Sequence, residues 1–111
     1  MVLSTIRMTI PAEKQNDALR IIRSIVMHSR DDPGCLGYYL YKDIEDSNVL
    51  MLQGKWISEE NLNLHVRTDD YRNLLLVLEL SLKQPEVIFD TISSSTGIET
   101  IEKIRSTICR A

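Results

Sequence analysis

The stretch "CLGYYLYKDIEDSNVLMLQGKWI", residues 35–57, decides the fold. Two apolar and aromatic runs flank "EDSN", a cluster of turn formers, so the segment reads as an antiparallel hairpin. A period of two places Leu36, Tyr38 and Leu40 on one face of the first strand, with Cys35, Gly37, Tyr39 and Tyr41 on the other. Both faces are apolar enough to need cover. "DDPG" at 31–34 precedes the hairpin: Pro33 disfavours helical geometry at Asp32, and Gly34 supplies a flexible turn position.

Working outward, "VLSTIRMTI" at 2–10 carries Val2, Ile6, Met8 and Ile10 on one parity, interrupted by Ser4, and reads as a first strand. Pro11 and Glu13 open a long amphipathic helix whose Ala18, Ile22, Ile25, Val26 and Ser29 fall at helical spacing. After the hairpin, Ser58 is a good N-cap and Glu59 and Glu60 suit a helix's positive end. A helical stripe of Leu62, Val66, Leu74, Leu75 and Leu78 runs on to 80, with "RTDD" at 67–70 expected to kink it. "EVIFDTIS" after Pro85 reads as a fourth strand. Thr96 and Glu99 have capping-box spacing before a last helix, whose Ile101, Ile104 and Ile108 form a narrow apolar seam in want of a docking surface.

The order β-α-β-β-α-β plus a terminal helix is the ferredoxin-like arrangement of an α+β protein with an antiparallel sheet. Residues 1–95 are expected to form this domain, and 96–111 an amphipathic helix serving dimerisation or packing. Helices on one side leave the second sheet face open, and Met51, Val87 and Phe89 are assigned to it beside Tyr39 and Tyr41. Burial against a second copy would cover that face.

Composition sets outer bounds. The chain has 111 residues, 43% apolar and 26% charged, which suits one compact globular domain. Its net charge of −3, with 13 scattered Lys and Arg, gives no footprint for nucleic acid. "LLLVLEL" at 74–80 is too short to span a bilayer and no signal-peptide pattern opens the chain, so a cytoplasmic protein without membrane partners is expected. Cys35 and Cys109 lack metal-ligand spacing, so reduced thiols and no metal site are expected.

Three stretches carry a family resemblance: "PGCLGYYLYKD", the strand-to-helix join "GKWISEENLNLHV", and "DDYRNLL" followed by "PEVIFDTI". Together, over roughly residues 2–93, they resemble the antibiotic biosynthesis monooxygenase domain family of small dimeric α+β barrels. The resemblance implies a pocket between sheet and helices and a dimer built on the opposite sheet face. Leu50, Leu52, Gly54 and Trp56 would then face the pocket with Tyr38. Met51, Gln53 and Lys55, with Tyr39 and Tyr41, would face the partner.

In cofactor-free members, the resemblance implies an asparagine four residues before the tryptophan and an arginine on the next helical segment. Trp56 matches the tryptophan and Arg72 the arginine, whereas Leu52 stands at the asparagine position. Such chemistry deprotonates a phenol or enol and holds the resulting anion with hydrogen-bond donors in a dry site. Leucine excludes water but donates nothing. The haem-degrading branch is disfavoured, because Ile6 and Leu75 occupy the places of its asparagine and iron-binding histidine.

The expected function is cofactor-independent oxidation of a small aromatic, quinol-like or phenol-like substrate by O2, with no metal or flavin. Trp56 would stack on the ring, His65 would take the phenolic proton, and Arg72 or Tyr38 would stabilise the anion. Leu52 and Tyr71 would line the pocket. Blander roles stand beside these: Trp56 as core, His65 as a structural hydrogen-bonding residue, and Arg72 as an ion-pair partner of Asp69 or Asp70. A non-catalytic ligand-binding or stress-associated homodimer is the alternative function, favoured by Leu52. A small-metabolite isomerase is another, and would require Arg7 or Arg67 to turn inward.

Overall fold

The computed structural model describes the backbone of residues 1–109 and the side chains of residues 1–106. The elements run β1 (Val2–Thr9), α1 (Ala12–Ser29), β2 (Cys35–Lys42), β3 (Val49–Trp56), α2 (Glu59–Val66), α3 (Asp69–Leu78), β4 (Glu86–Thr91) and α4 (Ile98–Cys109). The sheet order is β2-β3-β1-β4 with every neighbour antiparallel, the ferredoxin-like topology. The sheet is open; one chain does not close it into a barrel.

The second helix is two helices. Thr68 starts a new one, its hydroxyl accepting from the Tyr71 amide, just as Ser58 caps α2 by accepting from the Asn61 amide. The break turns the chain after His65, so that Leu74 and Val77 reach the core beside α1.

The core lies between one sheet face and the helices. Ile6, Met8, Leu50, Leu52 and Trp56 meet Ala18, Ile22 and Ile25 of α1 and Leu62 and Leu74 of α2 and α3. The amphipathic period of α1 is as expected, with Gln15 added to its buried face. That amide donates to the Ile10 and Ser47 carbonyls, fastening the hairpin turn to the helix.

Two strand faces differ from expectation. In β2, Cys35 pairs with Trp56 and Gly37 with Lys55, so Leu36 is an extra residue. This bulge reverses the parity: Cys35 packs toward the core while Leu36 is left exposed. In β4, Val87 pairs with Ile6 and Phe89 with Ser4, which puts both on the helix side, and Ile88 is the apolar residue on the open face. Pairing with β1 fixes this phase, which the apolar run itself leaves open.

The expected capping box is also altered. α4 begins at Ile98, so Gly97 precedes it, and the Glu99 carboxylate accepts from the Gly97 amide at 2.7 Å. That hydrogen bond holds the Glu99 carboxyl below its usual range. Ile98, Ile101 and Ile104 are all exposed, and Ile108 lies outside the described side chains. The chain's radius of gyration is 17.0 Å, against about 13 Å for a compact domain of this size. α4 is an arm.

Candidate functional site

β2, β3 and α2 converge on a cage of rings. Gly54 permits it: a Cβ there would sit 2.8 Å from Tyr38 Cδ2 and 3.1 Å from Trp56 Nε1, so only glycine lets the two rings lie across β3. The Trp56 indole stacks on His65 with ring centroids 4.4 Å apart and planes at 30°. Tyr38 and Tyr71 meet the imidazole edge-on at 5.2 Å and 5.3 Å. Leu52 is buried in the same core.

His65 is only 2% exposed, yet both of its nitrogens have partners. Nδ1 lies 3.1 Å from Asp32 Oδ2 and Nε2 lies 3.3 Å from the Tyr38 hydroxyl. Burial lowers the His65 pKa, opposed by the Asp32 hydrogen bond and charge and by Asp70. The imidazole is therefore neutral near pH 7, donating Nδ1–H to the carboxylate and accepting the Tyr38 proton at Nε2. Burial raises the Tyr38 phenol well above its ordinary value, reinforced by Tyr71, Cys35 and Asp32, and burial raises Tyr71 too. Protons in this cage are held, and a path runs from Tyr38 through His65 to Asp32.

Asp32 is the residue that sequence reading missed, having taken it only as the helix stop before Pro33. Its position is set by Gly34, at φ +76°, whose carbonyl accepts from the Ile57 amide. The Pro33 carbonyl accepts from the Asn61 side chain at 3.1 Å, tying the turn to α2. The sequence signal was His65 itself, because a buried imidazole needs an acceptor.

Trp56, His65, Tyr38, Tyr71 and Leu52 are thus brought together. Arg72 is not: its guanidinium is exposed and pairs with Asp69 at 3.2 Å, the local ion pair suggested by its spacing. Arg7 lies on the open face, 3.7 Å from Asp43 and 3.9 Å from Glu86, and Arg67 is exposed at the end of α2. Neither supplies a cation to the cage.

One polar atom in the cage is unsatisfied: the indole N–H of Trp56, fully buried, has no acceptor among the described residues. Beside the cage runs a groove of about 410 Å³, lined by Val2, Leu62, Val66 and Phe89 with Glu59 and Asn63 at its rim. Val2 is the cross-strand partner of Trp56, and Leu62 and Val66 flank His65 on α2, so groove and cage share a wall. Among the described residues no group of His, Cys, Asp and Glu is arranged to hold a metal ion, and no helix is long and apolar enough to cross a membrane. Cys35 is a free thiol whose pKa is raised by burial.

Comparison with known proteins gives a consistent result. A solved antibiotic biosynthesis monooxygenase superposes with a TM-score of 0.76 at 21% identity, over 85% of this chain and 100% of that one. Rv0793 from Mycobacterium tuberculosis superposes at 0.77 with 18% identity, over 86% and 98%. PA3566 from Pseudomonas aeruginosa superposes at 0.72 with 22% identity, over 84% and 94%. These likenesses establish the fold. No curated protein matches the sequence. The family model for antibiotic biosynthesis monooxygenase matches residues 1–75, more than half of the chain, and the chain therefore belongs to that family.

Proposed function

We propose that this protein is a cofactor-independent monooxygenase that oxidises a small phenol-like or quinol-like aromatic with O2, as a cytoplasmic homodimer paired through the open sheet face. The observation that carries the reading is the Asp32–His65–Tyr38 chain inside a water-excluding cage of rings. A phenol that replaces the Tyr38 hydroxyl at His65 Nε2 gives up its proton there, and Asp32 stabilises the resulting imidazolium. Trp56 stacks on the substrate ring, its free indole N–H and the Tyr38 hydroxyl donate to the anion, and Leu52 and Tyr71 exclude water. For an anthrone-like substrate the balance closes without another reductant. The ring methylene becomes a carbonyl, one oxygen atom of O2 enters it, and the other leaves as water with the two hydrogens. Entry is from the groove beside Leu62. Arg72 sits in solvent, so Tyr38 takes the anion-stabilising role.

The test is oxygen uptake by the purified, metal-stripped protein with a panel of quinols and anthrone-like phenols, beside His65→Ala and Trp56→Phe variants. Uptake that depends on substrate and is lost in His65→Ala is expected. Uptake no faster than the uncatalysed background would sink the proposal.

A second reading, a ligand-binding homodimer without catalysis, is favoured by Leu52, a buried hydrocarbon where cofactor-free relatives are expected to offer an asparagine. Saturable binding of the same aromatics, seen as a change in Trp56 emission with no oxygen uptake, would select it.

A further inference from the structure

We propose that α4 is an exchanged arm: in a dimer, the arm of each protomer lies in the groove between α1 and β2 of the other. The inference rests on the open-face pairing proposed above and adds a second, separate contact to it.

Three observations carry it. The first is area. The chain exposes 7820 Å², whereas a compact monomer of its mass exposes about 6300 Å². The difference, about 1500 Å², is the amount one protomer contributes to a large, obligate dimer interface. Much of the surplus sits on α4, where every described residue except Thr100 is exposed, including Ile98, Ile101 and Ile104.

The second is position. β4, from which the arm springs, is one edge of the sheet, and β2 is the other. The proposed pairing takes its twofold axis along the strands, which lays each β4 edge over the partner's β2 edge. Packed sheets stand about 10 Å apart and helices a similar distance beyond. Residues 92–97 span up to about 20 Å when extended, and α4 adds about 18 Å. The arm is long enough to pass the partner's β2 edge and reach its α1.

The third is chemistry. The groove at that edge, about 380 Å³, is lined by Val26, Met27 and Leu40 between Arg23 and Arg30. Met27 is two-thirds exposed, an apolar side chain with nothing over it. Arg30 is held in place, donating from Nε to the Tyr38 carbonyl at 3.0 Å with its guanidinium over the Tyr39 ring. Neither arginine has a carboxylate partner among the described residues. The isoleucine seam of α4 supplies the apolar surface, and Glu102, four residues after Ile98 and beside Ile101, supplies the negative charge at its margin.

Charge exchange tests the contact in the full chain, read by sedimentation velocity across protein concentration. Arg23→Glu and Glu102→Arg each put like charges in both arm contacts of a homodimer, and each is expected to weaken self-association five-fold or more. Mixing the two variants is expected to restore it, because in the mixed dimer both contacts are again oppositely charged. Ile101→Asp is expected to weaken association ten-fold or more, with an unchanged circular dichroism spectrum because Ile101 is already exposed. Unaltered dimers in all three variants, or a mixture no tighter than its parents, would overturn the exchanged arm. Met51→Lys on the open face separates the two contacts. If that variant weakens association while the arm variants do not, the sheet pairing stands and the arm fails; if it is insensitive, the sheet pairing fails and the arm's place at the partner's β2 edge fails with it. A wild-type chain that stays monomeric at 50 µM overturns both.

Discussion

Asp32 and His65, 33 residues apart in sequence, meet at 3.1 Å because one turn serves two elements: it ends α1 and is tied by Asn61 to the start of α2. The carboxylate fixes which imidazole nitrogen carries the proton, leaving Nε2 as acceptor toward Tyr38. Asp32 touches no substrate in this arrangement and acts as a positioning residue. Asp32→Asn keeps the shape but removes the charge that raises the His65 pKa. With a reactive phenol, kcat is expected to fall about ten-fold or more, the scale on which partners that orient an imidazole act. The acid limb of the pH profile should move to lower pH. A uniform loss of activity with an unmoved profile would mean that Asp32 is only structural.

Burial depresses the pKa of His65, so the unfolded chain takes up a proton at a higher pH than the folded one. The neutral imidazole's contribution to stability is complete above the unfolded value of about 6.5 and is lost as pH falls from there through the folded value. The urea midpoint is expected to drop between pH 7.5 and pH 5, and less so in His65→Gln. Trp56, the only tryptophan and stacked on this ring, reports the same event. Its emission should be quenched as His65 becomes charged, with no such step in His65→Gln.

The inward set Tyr38, Leu50, Leu52 and Trp56 was legible because β2 and β3 alternate by two and the hairpin turn is short. Leu36 was not, because one inserted residue reverses every assignment before it and leaves no mark in composition. Val87 and Phe89 were assigned to the wrong face for a related reason. "EVIF" offers apolar residues on both parities, and only pairing with β1 chooses between them. The ring residues of the cage could be named from their pattern and resemblance. Asp32 could not, since its role depends on a contact between distant segments, and its place before Pro-Gly already had a sufficient local explanation.

Gly54 is a sharp test of the cage. An alanine Cβ there meets the Tyr38 ring at 2.8 Å, and Tyr38 already packs edge-on against both Trp56 and His65, so the ring must shift out of those contacts to admit it. Gly54→Ala is expected to cost about 1–3 kcal/mol by urea denaturation, with a changed near-ultraviolet circular dichroism signal. Wild-type stability would show that the Tyr38 ring moves aside without cost.

Leu52→Asn tests what the missing donor means. Leu52 is 1% exposed, cross-strand from Ile6 and Leu40. Replacing it with an amide forfeits apolar contacts and buries a polar group, at an expected cost of about 2–4 kcal/mol by urea denaturation. The unpaired indole N–H of Trp56 offsets part of this if the new carbonyl accepts from it. The Trp56→Phe background isolates that term, because there Leu52→Asn should cost more. The two functional readings then diverge in oxygen uptake. If the cage is a working monooxygenase site that manages without the amide, adding it raises kcat on anthrone-like phenols or leaves it unchanged. If Leu52 marks a site turned to binding, the wild type is silent and Leu52→Asn gains uptake only while His65 is intact, so Leu52→Asn with His65→Ala returns to background.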